Sequence, residues 1–260
     1  MSLPTETAAR FNRISDIYDE TRQPLTSEAL DKVAARLSDD GVSHILEAGI
    51  GTGRIALPLQ QRNFSIFGVD LSRGMLRKAR EKGIHTVVLA DANHLPLRDK
   101  QFDAALMAHV IHLLENPSET FESLRRVATK EIVVLVRKRE GAYPTDDGRI
   151  SFRETFRRIA AEQGYPLPER QGGWGDGFRR ESEFLSANPP TELVTIEDEL
   201  IVTTLRERLS FFERRAYGHP TEIPEEAYRN IMRAAIESVD ADREVRFQRV
   251  EQMAIWRLTG

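Results

Sequence analysis

Cysteine is absent from all 260 residues. Disulfides, thiolate zinc sites, thiol nucleophiles and iron–sulfur clusters are excluded with it. Lysine is scarce: six of the 37 basic residues are Lys, and none follows Lys138. The net charge is only −4, so no global field gathers nucleic acid or an anionic membrane. No apolar run approaches the roughly 20 residues of a membrane span. Met1 to Arg13 lacks the apolar core of a secretory leader, and a cytoplasmic location is expected. Internal repeats and low-complexity segments are also missing. What remains, 40% hydrophobic and 30% charged, suits one α/β domain with insertions or a domain plus a small cap.

The stretch around which the chain is organised is Ser43 to Ala56, Ser-His-Ile-Leu-Glu-Ala-Gly-Ile-Gly-Thr-Gly-Arg-Ile-Ala. A short apolar run leads into Glu47 and Ala48. Gly49, Gly51 and Gly53 follow at alternate positions, then a helical pattern (Ile55, Ala56, Leu57, Leu59). Glycine takes positive φ and lets a ligand approach the backbone, and the first N–H groups of a helix face whatever lies over the turn. The unit reads as the first strand–turn–helix of a nucleotide-binding sheet, against the plainer reading of a tight turn. The dinucleotide fingerprint G-x-G-x-x-G/A needs a small residue at position 54, where Arg54 stands.

Ser65 to Asp70 reads as the second strand, ending in an acid 17 residues after Gly53. An acid there accepts from both ribose hydroxyls of an adenosine; the competing role is a cap for the next helix, for which Ser72 serves equally well. Thr86 to Ala90 is the third strand, followed at once by Asp91-Ala92, and Ala104 to Ala108 the fourth. Glu131 to Arg137 is a fifth, nearly continuous apolar strand suited to a buried parallel sheet. Alternation of strand and helix gives a parallel sheet with helices on both faces. The helix expected from Thr26 to Leu37 has Ser27 as a plausible cap.

The run E-x-G-x-G-x-G, with Asp70, Asp91-Ala92, Leu95-Pro96-Leu97 and Phe102-Asp103-Ala104, resembles the class I S-adenosylmethionine-dependent methyltransferases. The quinone-precursor and malonyl-carrier-protein methyltransferases belong to the broad group it looks like. The resemblance is specific over 43 to 137, looser over 11 to 22, and topological beyond. Leu97 stands where Phe is commoner, and the usual Gly-Gly turn before the fifth strand is missing. The resemblance implies a doubly wound Rossmann-like α/β sheet of seven strands in the order 3-2-1-4-5-7-6, strand 7 antiparallel, with helical cap insertions. It implies one methyltransferase domain over 1–260: an N-terminal lid and helices at 1–42, a cofactor core at 43–140, caps at 141–192 and 204–242, and last strands at 193–203 and 243–260. S-adenosylmethionine, with S-adenosylhomocysteine as product, would lie on Glu47, Ala48, Gly49, Gly51, Gly53, Asp70, Leu71, Met75, Asp91, Ala92 and His109. Tyr18 and Arg22 would close over it.

Methyl transfer needs donor and acceptor held close and water excluded, and no metal. A weakly acidic acceptor benefits from a base. His109, at the end of the fourth strand, is the candidate catalytic residue, followed by His112. Their spacing of three could place both on one face of a helical turn. The competing roles are a cofactor wall for His109 and packing for His112. No third or fourth ligand stands near enough in sequence for a metal, and none is expected. Gln171 to Gly177 reads as a flexible glycine-rich loop carrying Trp174, and helices are expected over 149–164, 205–217 and 224–239. The acceptor, a small and partly apolar molecule, is expected near His109, Tyr217, His219 and the Trp174 loop. His94 reads as a loop residue and Trp256 as packing. Two alternatives stand: a catalytically silent cofactor-binding protein and, disfavoured by Arg54, a dinucleotide-dependent oxidoreductase. No nucleic-acid partner is expected, because the fourth strand lacks the Asn/Asp-Pro-Pro-Tyr/Phe motif. The acceptor and the oligomeric state are not legible.

Overall fold

The glycine-bounded strands assemble into a seven-stranded sheet in the computed structural model, which describes residues 5–138, 149–167, 174–213 and 223–259. The strands are β1 (His44–Ala48), β2 (Ser65–Asp70), β3 (Val87–Leu89), β4 (Phe102–Ala108), β5 (Ala128–Lys138), β6 (Glu192–Thr204) and β7 (Glu244–Arg257). Their order is β3-β2-β1-β4-β5-β7-β6. β1 pairs in parallel with β2 and β4, β2 with β3, and β4 with β5, while β7 runs antiparallel to β5. This is the expected topology.

Strand periodicity divides the core. Alternate side chains point to opposite faces of a strand. Ile45, Leu106, Val133, Leu135, Met253 and Ile255 pack on one face, and Leu46, Met107, Ile132, Val134, Ala254 and Trp256 on the other. The first face is covered by α2 (Ser27–Asp39), α3 (Ala56–Gln60) and α4 (Arg73–Glu81) through Val33, Leu59 and Leu76. The second is covered by α5 (Pro117–Val127) through Phe121 and Leu124.

Caps explain the boundaries. Thr26, rather than Ser27, caps α2, its Oγ1 accepting the Ala29 N–H at 3.2 Å. Ser72 caps α4, accepting the Met75 N–H at 3.2 Å. Asn116 caps α5, with Pro117 in the first turn where no N–H is needed. Pro58 likewise sits in the first turn of the short α3.

The chain divides into two compact units. One comprises 1–138, 172–198 and 250–260 and holds the sheet core. An N-terminal helix, α1 (Thr5–Ile14), packs there on α4. Trp174 opens a helix, later in the chain than α6 below and labelled α7 (Trp174–Ala187), so residues 174–177 are not the loop that their glycines suggested. Residues 174–198 fall in the sheet unit. The reason is tertiary: Phe184 of α7 packs edge-on against Phe121 at 5.4 Å and lies 6.3 Å from Trp256, whose Nε1–H donates to the Asn188 carbonyl.

The second unit comprises 139–171 and 199–249. It contains α6 (Arg149–Glu162), α8 (Leu205–Glu213) and α9 (Glu225–Glu237). Its centre is aromatic: Phe152 meets Phe212 at 5.8 Å and Phe156 meets Tyr228 at 5.5 Å. Tyr228 is fully buried, and its hydroxyl donates to the Phe212 carbonyl at 2.6 Å.

Candidate functional site

The site is built at the carboxyl ends of β1, β2 and β4. Gly49, Gly51 and Gly53 all lie in the left-handed region, at φ 75°, 56° and 79°. They are required for different reasons. A Cβ on Gly49 would lie 2.7 Å from Val110 Cγ2, and one on Gly53 would lie 2.1 Å from Ile84 Cδ1. A Cβ on Gly51 meets nothing within 4 Å. Packing therefore explains the outer two glycines, while the middle one faces open space, as a cradle for an approaching ligand does.

Acids flank this cradle. Asp70 Oδ2 accepts the Gly51 N–H at 2.9 Å, and Oδ1 accepts the Ser72 N–H at 2.8 Å. Burial pushes its carboxyl up, and the backbone bonds partly offset that. Helix capping falls to Ser72, so Asp70 braces the glycine turn. Glu47 is buried, and its Oε2 has no hydrogen-bond partner among the described residues. Burial first, and Asp70 second, push its carboxyl well above the usual range. An unpartnered buried acceptor beside an open backbone turn is what a polar ligand would satisfy.

The N-terminal segment is tied over the turn. Asn12 Oδ1 accepts from Ser72 Oγ and the Gly74 N–H, each at 2.8 Å. Thr52 Oγ1 donates to Asp19 at 2.5 Å, Asp19 also pairs with Lys82, and Lys82 Nζ donates to the Thr52 carbonyl at 2.9 Å. Arg54 donates to the Gln23 carbonyl at 2.5 Å. The Arg22 guanidinium stacks 4.6 Å over the Tyr18 ring. The structure thus brings Tyr18 and Arg22 together on a segment bonded to the glycine turn.

Other expected residues sort differently. Asp91 Oδ1 accepts the Asn93 N–H at 2.9 Å and caps a short 3-10 turn, Ala92–His94. Ala92 is half-buried against the second core face, and Leu71 is half-buried at the end of β2. Met75 is buried. His94 is exposed, 3.5 Å from Glu119.

His109 and His112 do not share a helical face as expected. His109 takes φ 56°, which breaks the turn before the 3-10 segment Ile111–Leu113 that carries His112. His112 Nδ1 is hydrogen-bonded to Glu181 Oε1 at 3.1 Å, whereas His109 Nε2 lies 3.7 Å from Glu251 Oε2, too far for a hydrogen bond. Some 30% of the His109 side chain still reaches solvent. Burial, and then the Arg137 guanidinium, hold its imidazole down at about 3, so it is neutral at pH 7. Sequence reasoning missed Glu251, Arg137 and Glu181. Tyr217 and His219 lie outside the described residues, and among the described residues no cluster of metal-ligating side chains occurs.

Comparison with known proteins agrees with this geometry. Residues 46–135 match the family described as a methyltransferase domain. A malonyl-[acyl-carrier protein] O-methyltransferase of Geobacter sulfurreducens is 35% identical over 125 residues, which is 45% of this chain and 46% of that protein. A phosphatidylethanolamine N-methyltransferase of Cereibacter sphaeroides is 27% identical over 187 residues, covering 68% of this chain and 84% of that one. The chain spans about half the length of most curated relatives it matches. The crystal structure of the [4+2]-cyclase SpnF superposes with a TM-score of 0.54 at 19% identity, covering 98% of this chain and 97% of that one. That likeness shows the fold, and a fold does not fix a reaction. The matched stretch holds the glycine turn, strand β4 and most of β5, and the sheet order is that of the fold it resembles, so residues 46–135 are similar to a methyltransferase domain.

Proposed function

We propose that this protein transfers the methyl group of S-adenosylmethionine to a small-molecule acceptor. The observation that carries the reading is the open left-handed Gly51, bonded to the braced carboxyl of Asp70, together with the buried Glu47 Oε2 that has no hydrogen-bond partner among the described residues. In this reading Glu47, Ala48 and the glycine turn hold the cofactor's amino-acid end, and Asp70 and Leu71 its ribose. Asp91 and Ala92 hold the adenine, while Tyr18 and Arg22 cover the whole. Met75, fully buried, shapes the floor beneath. When bound, the cofactor supplies an electrophilic methyl carbon on a sulfonium. The chain's own work is to position that group, exclude water and, at His109, receive the acceptor's proton. His112, held by Glu181, serves as a wall. The reading takes the cytoplasm as the setting and a small molecule, rather than a nucleic acid, as the acceptor. Relatives named for carrier-bound malonyl groups, phosphatidylethanolamine and quinone precursors fit that class.

Titration calorimetry tests it. S-adenosylhomocysteine is expected to bind and NAD is not. Tight NAD binding with no heat from S-adenosylhomocysteine would sink the reading. Once an acceptor is in hand, His109→Gln is expected to slow turnover while leaving cofactor affinity nearly intact.

A further inference from the structure

β6 ends the sheet: among the described residues it has β7 on one side and no strand on the other. Four large apolar side chains are exposed among the described residues, and three of them, Leu193, Leu200 and Val202, stand on this one strand. Its second half, Glu199 to Thr204, lies in the second unit and reads Glu-Leu-Ile-Val-Thr-Thr. Such β-branched and apolar residues suit a strand paired on both edges. Edges left open to solvent are normally blunted by lysine, proline, a bulge or very short length. β3, at the opposite edge, is three residues long. β6 runs for 13 residues, and 199–204 holds neither lysine nor proline. Leu200 and Val202 are 57% and 50% exposed on one face, and Ile201 is half-buried on the other. The Thr204 N–H already donates to Glu207 Oε2 at 3.3 Å, so the open edge stops there.

We propose that this edge takes a second copy of the chain, paired antiparallel through Glu199 to Thr203 about a two-fold axis at Ile201. Charge and register choose both occupant and direction. The strand carries acids at one end of the stretch, Glu197-Asp198-Glu199, and threonines at the other, with the apolar residues between. A parallel copy in register would set acid on acid, and like charges directly opposite destabilise a pair. An antiparallel copy centred on Glu199 would also set that acid against itself. Centred on Ile201, the pairing sets Leu200 opposite Val202 twice and each Glu199 opposite Thr203. Glu199 keeps its own partner there, since Arg249 Nη2 of the same chain donates to its Oε2 at 2.8 Å. Residues opposite each other share a face, so the two leucines and two valines form one cluster, and the Ile201 pair meets on the other face. Each chain offers the same strand to the other, so the contact closes as a dimer and does not propagate. The inference is independent of the methyl-transfer reading.

Analytical ultracentrifugation of the full chain tests it. At micromolar concentration the wild type is expected to sediment at twice the chain mass, and Leu200→Glu/Val202→Glu at the chain mass. Both side chains are exposed, so the circular dichroism spectrum of that variant should match the wild type. Leu193→Glu, on the same strand but outside the pairing, should stay dimeric. The chain has no cysteine, so Ile201→Cys reports the axis directly. On mild oxidation it is expected to link to its copy faster than Leu193→Cys does, a readout that needs no introduced charge. A dimer that survives Leu200→Glu/Val202→Glu, or faster linkage at Leu193→Cys, would overturn the proposal. So would a monomeric wild type, which would leave the edge to a different chain.

Discussion

Gly51→Ala separates a ligand cradle from a mere turn. Its φ of 56° penalises any Cβ by about 1–2 kcal/mol. Stiffening of the unfolded chain returns about 0.4–1 kcal/mol of that. No collision adds to it, because nothing lies within 4 Å of the new methyl. The net loss is on the order of 1 kcal/mol, or about 2–4 °C in Tm. Gly83 offers the matching control, at φ 93° with nothing within 4 Å, in the turn after α4. Gly83→Ala should cost similar stability. Gly53→Ala should cost more, because its Cβ would meet Ile84 Cδ1 at 2.1 Å. In calorimetry with S-adenosylhomocysteine, Gly51→Ala is expected to weaken binding at least about tenfold, or roughly 1.4 kcal/mol. Gly83→Ala should leave binding unchanged. If Gly51→Ala and Gly83→Ala bind alike with wild-type affinity, the open face of Gly51 is not where the cofactor lies.

Asp70→Ala is expected to weaken S-adenosylhomocysteine by about 1–3 kcal/mol, and also to lower Tm, because the Gly51 and Ser72 N–H groups lose their acceptor. An unchanged dissociation constant with lowered Tm would reduce Asp70 to a turn brace. At the other end of the sheet, Glu131 is 1% exposed and lies beside Asp40. Burial and the adjacent Asp40 push its carboxyl up from 4.5 to about 7. The folded state therefore holds a proton that the unfolded state has released. This contribution is fully present below about pH 4.5 and is lost as pH rises through 7, up to about 3 kcal/mol in all. Denaturant titrations of Glu131→Gln and wild type from pH 5 to 8 should show the variant gaining relative stability as pH rises; a constant difference would refute this.

Much of the cofactor half was legible because its signals are local. The left-handed glycines, the acid closing β2 and the Ser72 cap each depend on a few neighbouring residues, and the strands declare themselves by unbroken apolar runs. The same locality accounts for the errors. Four glycines around Trp174 read as a loop, yet α7 forms because Phe184 finds Phe121 and Trp256 across the chain. The spacing of three between His109 and His112 implied a shared helical face, and the left-handed turn at His109 removed it.

By itself, then, the sequence determined the strand–turn–helix units, the glycine cradle and the acids beside it, since backbone sterics and hydrogen bonding within a turn are settled over short stretches. Tertiary structure alone decided which carboxylate lies beside which histidine. Arg137 and Glu251 are 114 residues apart and become partners only because β7 inserts antiparallel beside β5 in one register. A slip of one residue would turn Glu251 to the opposite face and leave Arg137 and His109 without it. Register is set by the whole apolar stripe of the sheet, and so the charge at its end could not be read from either strand on its own.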